Sequence, residues 1–138
     1  MNSKTVTLVV CLLAIAVPPL LAGGPGLSIE IKDAVVMVRV HFHDKNVPDS
    51  LTGTAEGILN GKRQSLDLRL LPTPEEGVFT VKQQWPAEGN WVLTITATEH
   101  ATQSAVIKLG ANGSTKNASV NMLTRKATED DVTAALKK

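Results

Sequence analysis

From Leu27 onward the chain alternates apolar and polar side chains with a period of two. That period marks strands that bury one face and expose the other. Leu27, Ile29 and Ile31 share one face of a first strand, and Val36, Val38, Val40 and Phe42 one face of a second. Leu66, Leu68 and Leu70 repeat the pattern against Asp67 and Arg69, and Phe79 and Val81 follow. Trp91, Leu93, Ile95 and Ala97 then alternate with Val92, Thr94, Thr96 and Thr98. Ala105, Ile107 and Leu109 form another set, and Ala118, Val120 and Met122 a last one. Helical spacing accounts for none of these as well.

The turn residues agree with that reading. Asn60-Gly61, between Leu59 and the Leu66 run, predicts a two-residue hairpin, because a type I′ turn needs positive φ at both central positions. Pro48-Asp49, Pro72 to Gly77 and Pro86 to Asn90 mark longer turns. Turns every eight to twelve residues or so are the rhythm of an antiparallel sandwich. No stretch between strands is long enough for a crossover helix, so no parallel unit fits. The expectation is an all-β, immunoglobulin-like antiparallel β-sandwich of roughly seven or eight strands.

The tail departs from the strand pattern. Thr128 with Asp131 resembles a capping box ahead of Val132, Ala135 and Leu136, and Lys137 and Lys138 suit the negative end of a helix. Such a short helix is marginal alone in water, so it either docks on the sandwich or frays. The Gly110 to Asn117 stretch reads as a flexible polar turn.

Residues 1–22 read as a secretory signal peptide, with Lys4 at the start, an apolar run from Val6 to Val17, and Ala22 before Gly23. The run is shorter than the roughly 20 residues a membrane span needs, and Pro18 and Pro19 interrupt it. Ala14-Ile15-Ala16 offers a second cleavage point, and retention as an N-terminal anchor is the rival reading. Cleavage at Ala22 implies a secreted or periplasmic chain without a stable membrane anchor, divided into an Ig-like domain over 23–124 and a tail over 125–138. It also removes Cys11, the only cysteine, and with it disulfides, thiol catalysis and thiolate metal sites.

Losing Lys4 takes the basic residues from 14 to 13, equal to the 13 acidic ones. A neutral chain lacks the basic footprint of a nucleic-acid binder. With no tyrosine, two phenylalanines and two tryptophans, it also offers little surface for stacking bases.

Gly77-Val78-Phe79, then Pro86, Gly89, Trp91 and Leu93, form a further pattern: one strand opens with Gly-x-aromatic, and after a Pro/Gly turn the next begins Gly-x-Trp-x-Leu. In this the chain resembles the bacterial extracytoplasmic immunoglobulin-like domains of the YtkA-like, FixH-like and CopC-like type. The resemblance spans about Val35 to Leu109 and implies a periplasmic accessory role, connected in some members with copper. The chain departs from the copper-handling pattern in two respects. It would begin at Gly23 and not at a histidine, and it lacks closely spaced methionines.

Candidate chemistry is sparse. Met37-x-Arg39-x-His41-x-His43 places four side chains on one strand face. Residues two apart lie about 6.6–7 Å apart along a strand, and two imidazoles so placed could splay toward one copper, zinc or nickel ion. A third metal ligand would come from Met37 or His100. Arg39 on the same face would repel the cation. Trp85 is either an exposed stacking surface or, if the alternation of Phe79 and Val81 continues, a core residue beside Trp91. Glu75, Glu76 and Glu88 sit in turns without a basic or histidine partner nearby in sequence, and read as solvated charges. No catalytic elbow, phosphate loop or zinc-protease motif occurs.

These observations lead to two expectations. The first is a non-enzymatic exported binding or accessory module of the cell envelope, contacting a protein partner through the flat, weakly charged Val92, Thr94, Thr96 and Thr98 face or through end loops. The alternative is a small periplasmic copper carrier using His41 and His43.

Overall fold

The computed structural model describes residues 26–41, 50–99 and 101–137. Residues 1–25, which include Cys11 and the expected signal peptide, lie outside them, as do Phe42, His43, the turn around Pro48 and His100. The strands are β1 (Gly26–Lys32), β2 (Val35–His41), β3 (Ser50–Leu59), β4 (Lys62–Asp67), β5 (Leu71–Pro72), β6 (Val78–Val81), β7 (Asn90–Thr98), β8 (Thr102–Lys108) and β9 (Ser119–Leu123), followed by helix α1 (Glu129–Lys137). One sheet has the order β1-β2-β6-β5 and the other β4-β3-β7-β8-β9. Every pairing is antiparallel. Apart from β9, this is the A-B-E-D and C′-C-F-G strand order of an immunoglobulin sandwich.

Most of the period-two sets form the core, the exceptions among the described residues being Val120 and Met122, which are exposed. Val36, Val38, Val40 and Val81 of one sheet meet Leu93, Ile95, Ala97, Ala105 and Ile107 of the other, and all are buried. Trp85 is buried as well, and its indole N–H donates to the Gly113 carbonyl at 2.8 Å. That bond ties the Gly110 to Asn117 stretch to the core. Ala111–Gly113 forms one 3-10 turn there, and the Gly110 N–H donates to the Ser114 carbonyl at 2.7 Å.

The Asn60-Gly61 hairpin joins β3 and β4, with φ of 52° and 74° at its two central residues, as a type I′ turn requires. The full length of β3 was not expected. Its inward positions are Leu51, Gly53, Ala55 and Gly57, and the last three are too small to read as a hydrophobic face. Gly57 is required by Trp91, because a Cβ there would lie 2.4 Å from the indole Cδ2. Sheet and ring therefore meet in direct contact, with Trp91 closing one end of the core.

Candidate functional site

The outer face of the five-stranded sheet is divided in two. At one end Val92 and Val106 point outward and are buried under Val132 and Leu136 of α1, with Leu123, Ala127 and Ala135 packed around them. The open Val92–Thr98 surface expected from sequence is thus only partly open: Val92 is 1% exposed. The tail supplies the cover because Val132 and Leu136, one helical turn apart, present a two-residue apolar face to two valines that lie diagonally across β7 and β8, where Val92 is opposite Lys108 and Val106 opposite Thr94.

Polar contacts fix where the helix begins. The Ala127 N–H donates to Ser104 Oγ at 3.1 Å, and Ser104 Oγ shares a hydrogen bond with Thr96 Oγ1 at 3.0 Å. Thr128 and Asp131 make the expected capping box. The Thr128 N–H donates to Asp131 Oδ2 at 2.7 Å, and the Asp131 N–H reaches back to Thr128 Oγ1 at 3.4 Å. Arg125 grips the same carboxylate with both guanidinium nitrogens, at 2.6 and 2.9 Å. The Arg125 hydrogen bond, then the Thr128 N–H and hydroxyl, hold the Asp131 carboxyl well below the usual carboxylate range. Arg63 ties the helix to the sheet by pairing with both Glu56 and Glu129.

The uncovered part of the face is a plane of hydroxyls. Thr52 lies opposite Thr96, Thr54 opposite Thr94, and Ser50 opposite Thr98. Thr98 and Thr102 share a hydrogen bond at 3.2 Å. Where this plane meets the start of α1 there is a cavity of about 290 Å³, lined by the four central threonines, Glu56, Val132 and the Lys126–Glu129 segment. Hydroxyls that both donate and accept, beside one lysine and two carboxylates, suit a polar chain segment lying across the strands. Neither the groove nor its helical wall was foreseen. The available signal was that Val92 and Val106 are apolar in positions in phase with Thr94, Thr96, Thr102 and Ser104.

The four metal candidates are not all within the described residues. His41 is exposed at the end of β2, on the outer face of the four-stranded sheet. Met37 is half-buried on the same face, about 13 Å along the strand. His43 and His100 fall outside the described residues. Arg39, between Met37 and His41, forms an ion pair with Glu75. Glu75 therefore has a basic partner, brought from 36 residues away by the fold, and is not the unpartnered turn charge expected from sequence. Among the described residues no three His, Cys, Asp or Glu side chains cluster as a metal site, and no helix is long and apolar enough to cross a membrane.

Protein-family models, curated proteins and solved structures give no match to this chain.

Proposed function

We propose that this protein is a non-enzymatic, exported binding or accessory module of the cell envelope that takes a protein partner on the outer face of its five-stranded sheet. The observation that carries the reading is the threonine plane beside α1. Thr52, Thr54, Thr94 and Thr96 leave a polar groove open on a face whose apolar end is already covered. Strand faces of threonine hold their shape because the side chain is branched at Cβ. A preorganised surface loses little entropy when a partner docks. The leader supports export, and the resemblance to extracytoplasmic sandwiches supports the envelope.

Charges placed in the groove test this reading. Thr52→Lys and Thr94→Glu, each with an unchanged melting temperature, are expected to remove chemical crosslinks to an envelope protein when the chain is made in an exporting host. An unchanged crosslink pattern in both variants overturns the assignment of this surface.

A second reading, a small periplasmic copper carrier, has one observation in its favour. Glu75 neutralises Arg39, which lessens the repulsion a cation would meet on the approach to exposed His41. It would use His41 and His43, and it is tested by metal titration.

A further inference from the structure

Helix α1 covers Val92 of β7 and Val106 of β8 and leaves a groove on each of its flanks. The threonine groove lies on the β3 side. On the β9 side two cavities, of about 470 and 300 Å³, run between the helix and the outward positions of β8 and β9. Both are lined by Lys108, Ser119 and Ala135, so they form one continuous groove.

Lys108 is the one cationic side chain lining this groove among the described residues. It is half-buried, and among the described residues no carboxylate pairs with it. A cation partly withdrawn from water without a partner is costly, and an anion beside it offsets that cost. The other charged residue on the lining, Asp131, is already satisfied. Its two oxygens accept from both Arg125 guanidinium nitrogens and from the Thr128 N–H and hydroxyl.

The surroundings of Lys108 are able to donate further hydrogen bonds. Ser119 lies directly opposite it on β9, Asn121 follows on the same strand, and Asn90 and Asn117 line the far end. The helix contributes an apolar wall of Ala134, Ala135 and Leu136.

We propose that this groove binds a small organic carboxylate, with the carboxylate group on the Lys108 ammonium and a short aliphatic body against Ala134 and Ala135. Charge complementarity selects the occupant. One unpaired ammonium matches one negative charge, whereas a phosphate dianion brings a second charge close to the Asp131 carboxylate. The larger cavity falls within the roughly 300–1,000 Å³ of small-molecule sites, which combine apolar walls with a few orienting polar groups. The threonine groove is on the opposite flank of α1, so a carboxylate here requires no protein partner there.

Titration of the purified chain with butyrate at neutral pH, followed by amide NMR, tests the site. Butyrate is expected to shift the amides of 106–108, 119–121 and 134–136, with a midpoint on the order of 1 mM for so small a ligand. Butyramide, its neutral analogue, and inorganic phosphate should each bind at least tenfold more weakly. Lys108→Gln should weaken butyrate at least tenfold. Ser119→Glu sets a carboxylate opposite Lys108 on the neighbouring strand, and should exclude butyrate while raising the melting temperature. The absence of a saturable shift up to about 10 mM, or shifts spread over lysines elsewhere on the surface, overturns the proposal. So does unchanged butyrate affinity in Lys108→Gln or, should that variant fail to fold, in Ser119→Glu. Butyramide or phosphate binding as tightly as butyrate overturns the assignment of a carboxylate.

Discussion

Replacing Leu136 by alanine is expected to undock α1 while leaving the sandwich folded. Holding nine residues in one backbone conformation costs about 1–2 kcal/mol each, so a helix of this length is close to break-even before its side chains pack. Only Val132 and Leu136 are buried, and they rest on Val92 and Val106, outside the main core. Buried Leu→Ala replacements cost about 2–5 kcal/mol. Leu136 retains 9% exposure at the margin of its cluster. Water can enter the space left there, which places the cost near the low end, about 2 kcal/mol. That corresponds to roughly 30-fold in the opening equilibrium of the helix. Hydrogen exchange measures it directly. The amides of 133–137, and the Ala127 N–H held by Ser104 Oγ, are expected to exchange about 30-fold faster in Leu136→Ala. Amides of the Leu93–Ile95 segment should keep their rates. Newly exposed Val92 and Val106 should raise binding of a hydrophobic dye. Unchanged helix amides would refute the claim that two side chains hold the helix. Equal acceleration of Leu93–Ile95 would refute the claim that the helix opens by itself.

Three other expectations follow from the same structure. Gly57→Ala should destabilise by about 1–3 kcal/mol, because the added Cβ must displace the buried Trp91 ring, whereas Gly61→Ala meets open space and bears only its positive φ, at about 1 kcal/mol; chemical denaturation followed by tryptophan fluorescence separates the two. Asp131 has a depressed folded-state pKa, so its contribution is present above the unfolded value near pH 4 and is lost as pH falls through the folded value. Asp131→Asn should therefore destabilise the chain most at neutral pH, and the gap to the parent chain should close toward pH 2 in acid titrations followed by circular dichroism. Copper or zinc titration should give imidazole-ligated binding that the His41→Ala, His43→Ala double variant abolishes if the carrier reading holds, and binding no tighter than that of an unrelated sandwich if those histidines are simple surface residues.

Most of the sandwich was legible because its core positions carry aliphatic or aromatic side chains at strict period two, as in Val36-x-Val38-x-Val40 and Trp91-x-Leu93-x-Ile95. β3 escaped because close packing against Trp91 and Ile95 selected glycine and alanine at its inward positions, and small residues leave no hydrophobic signature. The Asn60-Gly61 turn implied such a strand, since a hairpin needs two arms. The capping box was readable from Thr128 and Asp131, but the landing place of the helix was not. Docking depends on Val92 and Val106 becoming neighbours across two strands, a tertiary fact. The Arg39–Glu75 pair was hidden for the same reason. The exposure of Val120 and Met122 could not be read from alternation at all, since a period of two shows which face a strand would bury and not whether the opposite sheet reaches far enough to cover it.

Site-specific photocrosslinking tests the central claim most directly. A photoreactive residue at Thr54, in the threonine groove, is compared with one at Ser28, on the outer side of β1, in the chain produced in an exporting host. The account predicts a discrete adduct with one envelope protein from Thr54, lost on adding Thr94→Glu, and none from Ser28. The absence of any adduct from Thr54, or the same adducts from both positions, would contradict it.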